Sequence, residues 1–245
     1  MENKAEKVKP YNQAADKKQQ VEKMFDNIAG KYDFLNHLLS MGIDKIWRKN
    51  LISMMSQSKP KQVLDVATGT GDLAIQAAKA LDEIKITGLD ISQGMLDVGK
   101  QKIINKNLGD RIEMIYGDSE NMPFENDSFD AIMVAFGVRN FENLLNGLKD
   151  MHRVLKPGGN VFILEFSRPK NFIFRFIFNF YFKNLLPLIG RFTSKDPKAY
   201  KYLFESVQAF PAYEDFLEIM NNAGFESNKF KIQSLGICSI YYGKK

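Results

Sequence analysis

The 245-residue sequence predicts an α/β fold, a mostly parallel sheet with helices on both faces. Three observations predict it. Short runs rich in β-branched residues alternate with stretches of helical periodicity. The first such run enters a glycine turn that opens a helix. Acidic residues stand at or near the ends of three successive runs, the edge where sheets of this kind place their ligands.

The elements follow in order. Residues 1–20 are polar and lysine-rich and read as a mobile arm. Residues 21–56 place Val21, Met24, Phe25 and Ile28 at helical spacing and form an N-terminal helical cap. A core spans 60–168: strand 62–67, helix 71–81, strand 84–90, helix 92–104, strand 111–117, strand 129–136, helix 141–155 and strand 160–166. The Lys156-Pro157-Gly158-Gly159 segment stops the last helix and makes a tight turn. Residues 169–205 are an insertion, and 206–245 close the fold with a helix over 211–222 and two strands turning near Ser234-Leu235-Gly236. Within the insertion, 171–183 is unusually aromatic. Its polar residues at 171, 175, 179 and 183 would form one helical stripe, while the even-numbered phenylalanines would also suit a strand. A buried helix, a greasy wall for a lipid-like substrate and a membrane-surface element all remain open.

Bulk composition narrows the classes. Hydrophobic residues make up 44% and charged residues 26%, which supports a packed core and argues against global disorder. The net charge of +5 favours an anionic partner without choosing one. The lysines are scattered rather than interleaved with aromatics, so nucleic acid is not expected. Cys238 is the single cysteine, and His37 and His152 are the only histidines, so neither an internal disulfide nor a structural zinc site is expected. The first residues lack the apolar run of a signal peptide, and no stretch of about 18 uncharged apolar residues occurs. A cytoplasmic location is expected.

The sharpest motif is Val63-Leu64-Asp65-Val66-Ala67-Thr68-Gly69-Thr70-Gly71-Asp72-Leu73-Ala74. Gly69 and Gly71 allow unusual backbone angles and close approach of a ligand. The free N–H groups of a helix start favour partial negative charge. Gly69 to Ala74 matches a dinucleotide fingerprint, and on that match alone an NAD-dependent oxidoreductase stays open. Asp65, four residues before Gly69, suits a cationic ligand better than a pyrophosphate. Asp90 can accept from ribose hydroxyls under either reading. Asp118, followed by Ser119, can accept from an exocyclic adenine amine.

Together, Asp65 to Asp72, Asp90, Asp118-Ser119 and Leu155-Lys156-Pro157-Gly158-Gly159 resemble the class I S-adenosylmethionine methyltransferases. That resemblance implies a Rossmann-like fold with a mostly parallel seven-stranded sheet. It implies Asp65, Thr68, Gly69 and Gly71 beside the cofactor, Asp90 on the ribose, and Asp118 and Ser119 flanking adenine. The likeness sharpens at Met24-Phe25-Asp26-Asn27-Ile28-Ala29, Tyr32-Asp33-Phe34-Leu35-Asn36, Ser40-Met41-Gly42-Ile43-Asp44, Phe136-Gly137-Val138-Arg139-Asn140 and Leu164-Glu165-Phe166-Ser167-Arg168-Pro169. These patches resemble the ubiquinone/menaquinone biosynthesis C-methyltransferase family. The chain departs from some relatives at Asp44, where they have His, and at Ala135, where they have Ser.

The family resemblance implies methylation of a ring carbon of demethylmenaquinol, with the benzoquinol precursor of ubiquinone as the alternative acceptor. It implies S-adenosylmethionine as donor, no metal, a prenylated naphthoquinol as substrate and peripheral contact with an anionic membrane. Such chemistry needs positioning, phenolate stabilisation and a modest base. Arg139 and Asn140 are the candidates for stabilising the quinolate, and Tyr32 and Asn36 for facing the substrate. His37 is a candidate base, because its ordinary pKa lies near neutrality.

Overall fold

The computed structural model describes residues 4–11, 14–180 and 197–245. Two helices come first, α1 (Lys17–Leu39) and α2 (Asp44–Met55). They are joined by a turn in which Met41 and Gly42 adopt positive φ of 51° and 76°. The core follows as β1 (Gln62–Val66), α3 (Asp72–Ala80), β2 (Lys85–Asp90), α4 (Gln93–Asn105), β3 (Ile112–Tyr116), β4 (Phe129–Ala135), α5 (Leu144–Val154) and β5 (Leu155–Phe166). Then come α6 (Phe172–Phe180), α7 (Pro197–Ala209), α8 (Glu214–Asn222), β6 (Glu226–Gln233) and β7 (Cys238–Lys244).

The strands form one seven-stranded sheet in the order β3-β2-β1-β4-β5-β7-β6. β7 runs antiparallel to both its neighbours, and the remaining pairs are parallel. The central strands are covered on both faces, so they read as continuous apolar runs. Side-chain alternation sorts β1: Val63 packs with Trp47, Leu51 and Met55 of α2, whereas Leu64 and Val66 pack with Leu148 and Met151 of α5 and Phe216 of α8. Strand order reverses between β1 and β4, and a crevice opens there at the carboxyl ends of the strands.

The sequence-predicted strands and core helices all form, with three differences. The Lys156-Pro157-Gly158-Gly159 turn lies inside β5 as a register jump, Phe129 facing Leu155 and Ala131 facing Asn160. The chain end holds it there: Gly158 N–H donates to the Lys245 carbonyl at 2.8 Å, and Lys245 N–H to that of Gly159 at 3.1 Å. Secondly, the expected mobile arm is packed at its described residues. Ala5 is buried, and the wholly buried Lys17 donates from Nζ to the carbonyls of Ala5, Arg139 and Phe141 at 2.8, 3.1 and 2.9 Å. Burial lowers the Lys17 pKa to about 8 against the opposing pull of Glu6, and three carbonyls meet the needs of a desolvated amine. Thirdly, the aromatic stretch is a helix, α6, but not a buried one. Phe172, Ile173, Phe176 and Phe180 are exposed, while Phe178 packs against Val207. Tyr181, Phe182 and residues 185–189, expected to extend the greasy wall, and Lys183 and Arg191, expected to rest on anionic headgroups, lie outside the described residues. Among the described residues no helix is long and apolar enough to cross a membrane.

Candidate functional site

The glycine turn after β1 is shaped by positive φ at Ala67, Gly69 and Gly71 (52°, 58° and 76°). Thr68 N–H donates to the Leu89 carbonyl at 3.0 Å, which ties the turn to β2. Beneath it, the Asp65 carboxylate accepts the Thr68 hydroxyl at 2.6 Å. Burial pushes the Asp65 carboxyl up to about 7, with the Thr68 hydroxyl opposing. Asp90, at the end of β2, accepts the Gly69 N–H at 2.7 Å on one oxygen and the Ser92 N–H at 2.9 Å on the other. Burial raises its carboxyl to about 6 even against those donors. The Asp90 carboxylate retains acceptor capacity for a ligand hydroxyl beyond these backbone donors.

A cavity of about 70 Å³ opens beside this turn. Four of the seven expected cofactor residues line it: Gly69, Asp90, Asp118 and Ser119. Asp65, Thr68 and Gly71 are not among its lining residues. Asp65 and Thr68 are bonded to each other under the turn, and Gly71 caps the start of α3 in a left-handed conformation. Asp118 accepts Lys18 Nζ at 2.7 Å and the Glu120 N–H at 2.9 Å. The lining holds the carboxylates of Asp90, Asp118, Glu120 and Glu142 against one cation, Lys18. A negative cavity rejects a pyrophosphate and accommodates an ammonium or sulfonium. The residues therefore fit S-adenosylmethionine better than a dinucleotide.

A second cavity, about 230 Å³, adjoins the first, and Tyr32 and Phe136 line both. Its wall is mostly apolar, with Trp47, Phe136, Phe166, Phe178 and Ile237. One polar stripe crosses it: Tyr32, Asn36, Ser40, Asp44 and Arg48, four residues apart along α1, the turn and α2. Arg139 completes the wall from the turn after β4. Its guanidinium is buried, donating to Glu165 Oε1 at 2.8 Å and to the Phe136 carbonyl, and standing 5.5 Å from the Phe166 ring centre. Glu165, wholly buried at the end of β5, also accepts the Arg139 and Phe166 backbone N–H groups. Burial pushes the Glu165 carboxyl up, and Arg139 opposes that shift. Asn140 lines the first cavity and accepts the Tyr202 hydroxyl at 3.1 Å.

His37 lines neither cavity. Its ring is held between two carboxylates instead, Nδ1 3.0 Å from Asp44 and Nε2 3.5 Å from Asp72. Helix α1 walls both cavities because two aspartates moor it. Asp26 accepts the Ser92 hydroxyl at 2.6 Å and the Gly94 N–H at 2.9 Å, and Asp33 accepts Thr70 and Lys102. Sequence reasoning missed Lys18, Asp33, Ser40, Asp44, Arg48, Glu165 and Tyr202 as parts of the site. For the stripe a signal existed, the regular four-residue spacing from Tyr32 to Arg48. For Glu165 and Tyr202 none did, since their partners lie 26 and 62 residues away.

The model of the ubiE/COQ5 methyltransferase family matches residues 13–245. A demethylmenaquinone methyltransferase of Porphyromonas gingivalis is 45% identical over 241 residues, covering 98% of each chain. A ubiquinone/menaquinone biosynthesis C-methyltransferase of Geotalea daltonii is 45% identical over 231 residues, 94% of this chain and 98% of its own. Among solved structures, an S-adenosylmethionine-dependent methyltransferase of Thermotoga maritima, a possible histamine N-methyltransferase, superposes with a TM-score of 0.64 at 17% identity. It covers 92% of this chain and 99% of its own. At that identity the likeness establishes the fold, an α/β methyltransferase sheet.

Proposed function

Because the chain belongs to the ubiE/COQ5 methyltransferase family, we propose that it transfers a methyl group from S-adenosylmethionine to a ring carbon of demethylmenaquinol, giving menaquinol. One observation supports this above the rest. A carboxylate-lined cavity meets an apolar cavity at Tyr32 and Phe136, and the apolar one holds a buried arginine. A cationic methyl donor suits the first, and an apolar ring that becomes anionic suits the second.

Within this reading Asp90 accepts from the ribose hydroxyls, and Asp118 and Ser119 flank adenine. When bound, S-adenosylmethionine supplies an electrophilic methyl on a positively charged sulfur. Arg139 stabilises the quinolate as it develops, its guanidinium fixed beforehand by Glu165 and the Phe136 carbonyl. Asn140 is fixed by Tyr202 beside the donor, and Tyr32 contacts the acceptor where the cavities join. The apolar walls exclude water, which strengthens these interactions.

The acceptor's tail needs an exit, and three apolar residues that line the second cavity are also exposed. Met41, Phe174 and Leu235 come from three separate elements and border that exit. Phe174 continues into the exposed aromatic face of α6, which rests on an anionic membrane with Arg175 toward the headgroups. The test of the function is direct. Purified protein, methyl-labelled S-adenosylmethionine and chemically reduced demethylmenaquinol should yield ring-labelled menaquinol by mass spectrometry. S-adenosylhomocysteine binding without any label in the quinol would refute the acceptor, and label appearing only in the benzoquinol precursor would replace it.

A further inference from the structure

Asp44 is a charged side chain in the wall of an apolar cavity, and it is 2% exposed. A buried carboxylate persists only when its charge is compensated. Here Oδ1 accepts the Ser40 hydroxyl at 2.5 Å, and Oδ2 accepts His37 Nδ1 at 3.0 Å and the Arg48 guanidinium. Burial works against its ionisation, but Ser40, Arg48 and His37 outweigh burial and hold the carboxyl below its ordinary value. The group is an ionised acceptor at neutral pH.

Ser40 lines the same cavity. A serine hydroxyl has one hydrogen and two lone pairs. Its hydrogen goes to Asp44, so what Ser40 presents to a ligand is an acceptor. We propose that Ser40 and Asp44 are the proton acceptor of methyl transfer, Ser40 touching a hydroxyl of the bound quinol and Asp44 receiving the proton through it. His37 and Arg48 are positioning residues. The inference rests on the second cavity being the quinol site.

The step balances as follows. Ring π electrons form the new C–CH3 bond while the CH3–S bond breaks and leaves its pair on sulfur. The quinol O–H bond breaks with it, its electron pair becoming the second bond of a ring carbonyl. That proton moves to Ser40 Oγ as the Ser40 proton moves to Asp44 Oδ1. The ring carbon now bears both methyl and hydrogen. Loss of that hydrogen to water as a proton, with return of the Asp44 proton through Ser40 to the carbonyl oxygen, restores the aromatic quinol. One proton is released per methyl transferred. A phenolic hydroxyl with a pKa of about 10 does not ionise to a carboxylate in the ground state. Its acidity rises as the ring gives electrons to the methyl, and Arg139 stabilises the negative charge that builds on the oxygen as the proton leaves, so a weak carboxylate base accepts the proton at that moment and not before.

Three variants test this: Ser40→Ala, Ser40→Thr and Asp44→Asn. Four quantities are read: kcat with reduced demethylmenaquinol, its solvent deuterium isotope effect, S-adenosylhomocysteine affinity by calorimetry, and melting temperature. Ser40→Ala should lower kcat about 10–100-fold and change the isotope effect, with S-adenosylhomocysteine affinity unchanged and only a modest fall in melting temperature from the lost hydrogen bond to Asp44. Ser40→Thr keeps the hydroxyl and should recover most of the rate. Asp44→Asn should lower kcat at least as far as Ser40→Ala. Wild-type kcat in Ser40→Ala overturns the proposal. So does a parallel loss of S-adenosylhomocysteine affinity, which would mark Ser40 as structural. A wild type that binds S-adenosylhomocysteine yet methylates no quinol overturns the acceptor reading and this proposal with it, whereas an active wild type with active variants overturns this proposal alone.

Discussion

Replacing Glu165 with glutamine should strand a charge. Glu165 is wholly buried, and its carboxylate takes Arg139 NH1 at 2.8 Å together with the Phe166 N–H at 2.8 Å. Removing one member of a buried ion pair costs about 3–5 kcal/mol, because the other is left uncompensated in a medium that solvates it poorly. Glutamine keeps one acceptor oxygen, which places the expected cost just below that range, about 2–3 kcal/mol. In a chain of this size each kcal/mol moves the melting temperature by roughly 2–4 °C, so a fall of roughly 4–12 °C is expected. Arg139→Ala on top of Glu165→Gln removes the stranded cation. The double variant should therefore be more stable than the sum of the two single losses by about 2 kcal/mol, read from a double-mutant cycle of urea unfolding curves. Additive losses within about 0.5 kcal/mol would mean that the two side chains are not energetically coupled, and the account of how Arg139 is fixed would fail.

Burial places the Asp90 carboxyl at about 6 in the ligand-free chain, and ribose hydroxyls bind its ionised form. S-adenosylhomocysteine affinity should therefore fall as pH drops through about 6, and Asp90→Asn should abolish that dependence while weakening binding about 10–100-fold at pH 7. Calorimetry across pH checks both, and an unchanged affinity in the variant would remove Asp90 from the ribose. The sign for folding is opposite. A carboxyl raised by burial holds a proton that the unfolded chain has lost, so the Asp90 contribution to stability grows as pH falls from about 6 toward its ordinary value. At the cavity mouth, Leu235→Asp should cut kcat/KM for a long-tailed demethylmenaquinol at least about tenfold and leave a tail-less ring analogue unaffected; equal losses on both would place the tail elsewhere. Flotation with anionic vesicles at low salt should lift the wild type and not Phe176→Asp, and a wild type that remains at the bottom of the gradient would end the membrane reading of α6.

The arrangement of βα units was legible because each needs only local signals. Residues 62–66 form a strand because they are mostly apolar with β-branched valines, and Gly69 and Gly71 form a turn because their φ values of 58° and 76° suit glycine. Asp90 and Asp118 were legible as cavity residues because strand ends in such a sheet share one edge. The bond between Asp65 and the Thr68 hydroxyl was not legible, because it depends on the three-dimensional path of the turn rather than on periodicity.

By itself the sequence determined the sheet, its glycine turn and the two acidic strand ends, since these follow from periodicity and backbone preference within a dozen residues. Only the tertiary structure decided what faces the acceptor. Folding α1 across the sheet sets Tyr32, Asn36, Ser40 and Asp44 against Phe136 and Arg139, from segments about a hundred residues apart. It set His37 between Asp44 and Asp72, and it brought Glu165 to Arg139. Such contacts depend on where whole elements pack, and local composition holds no record of a partner that distant in the chain.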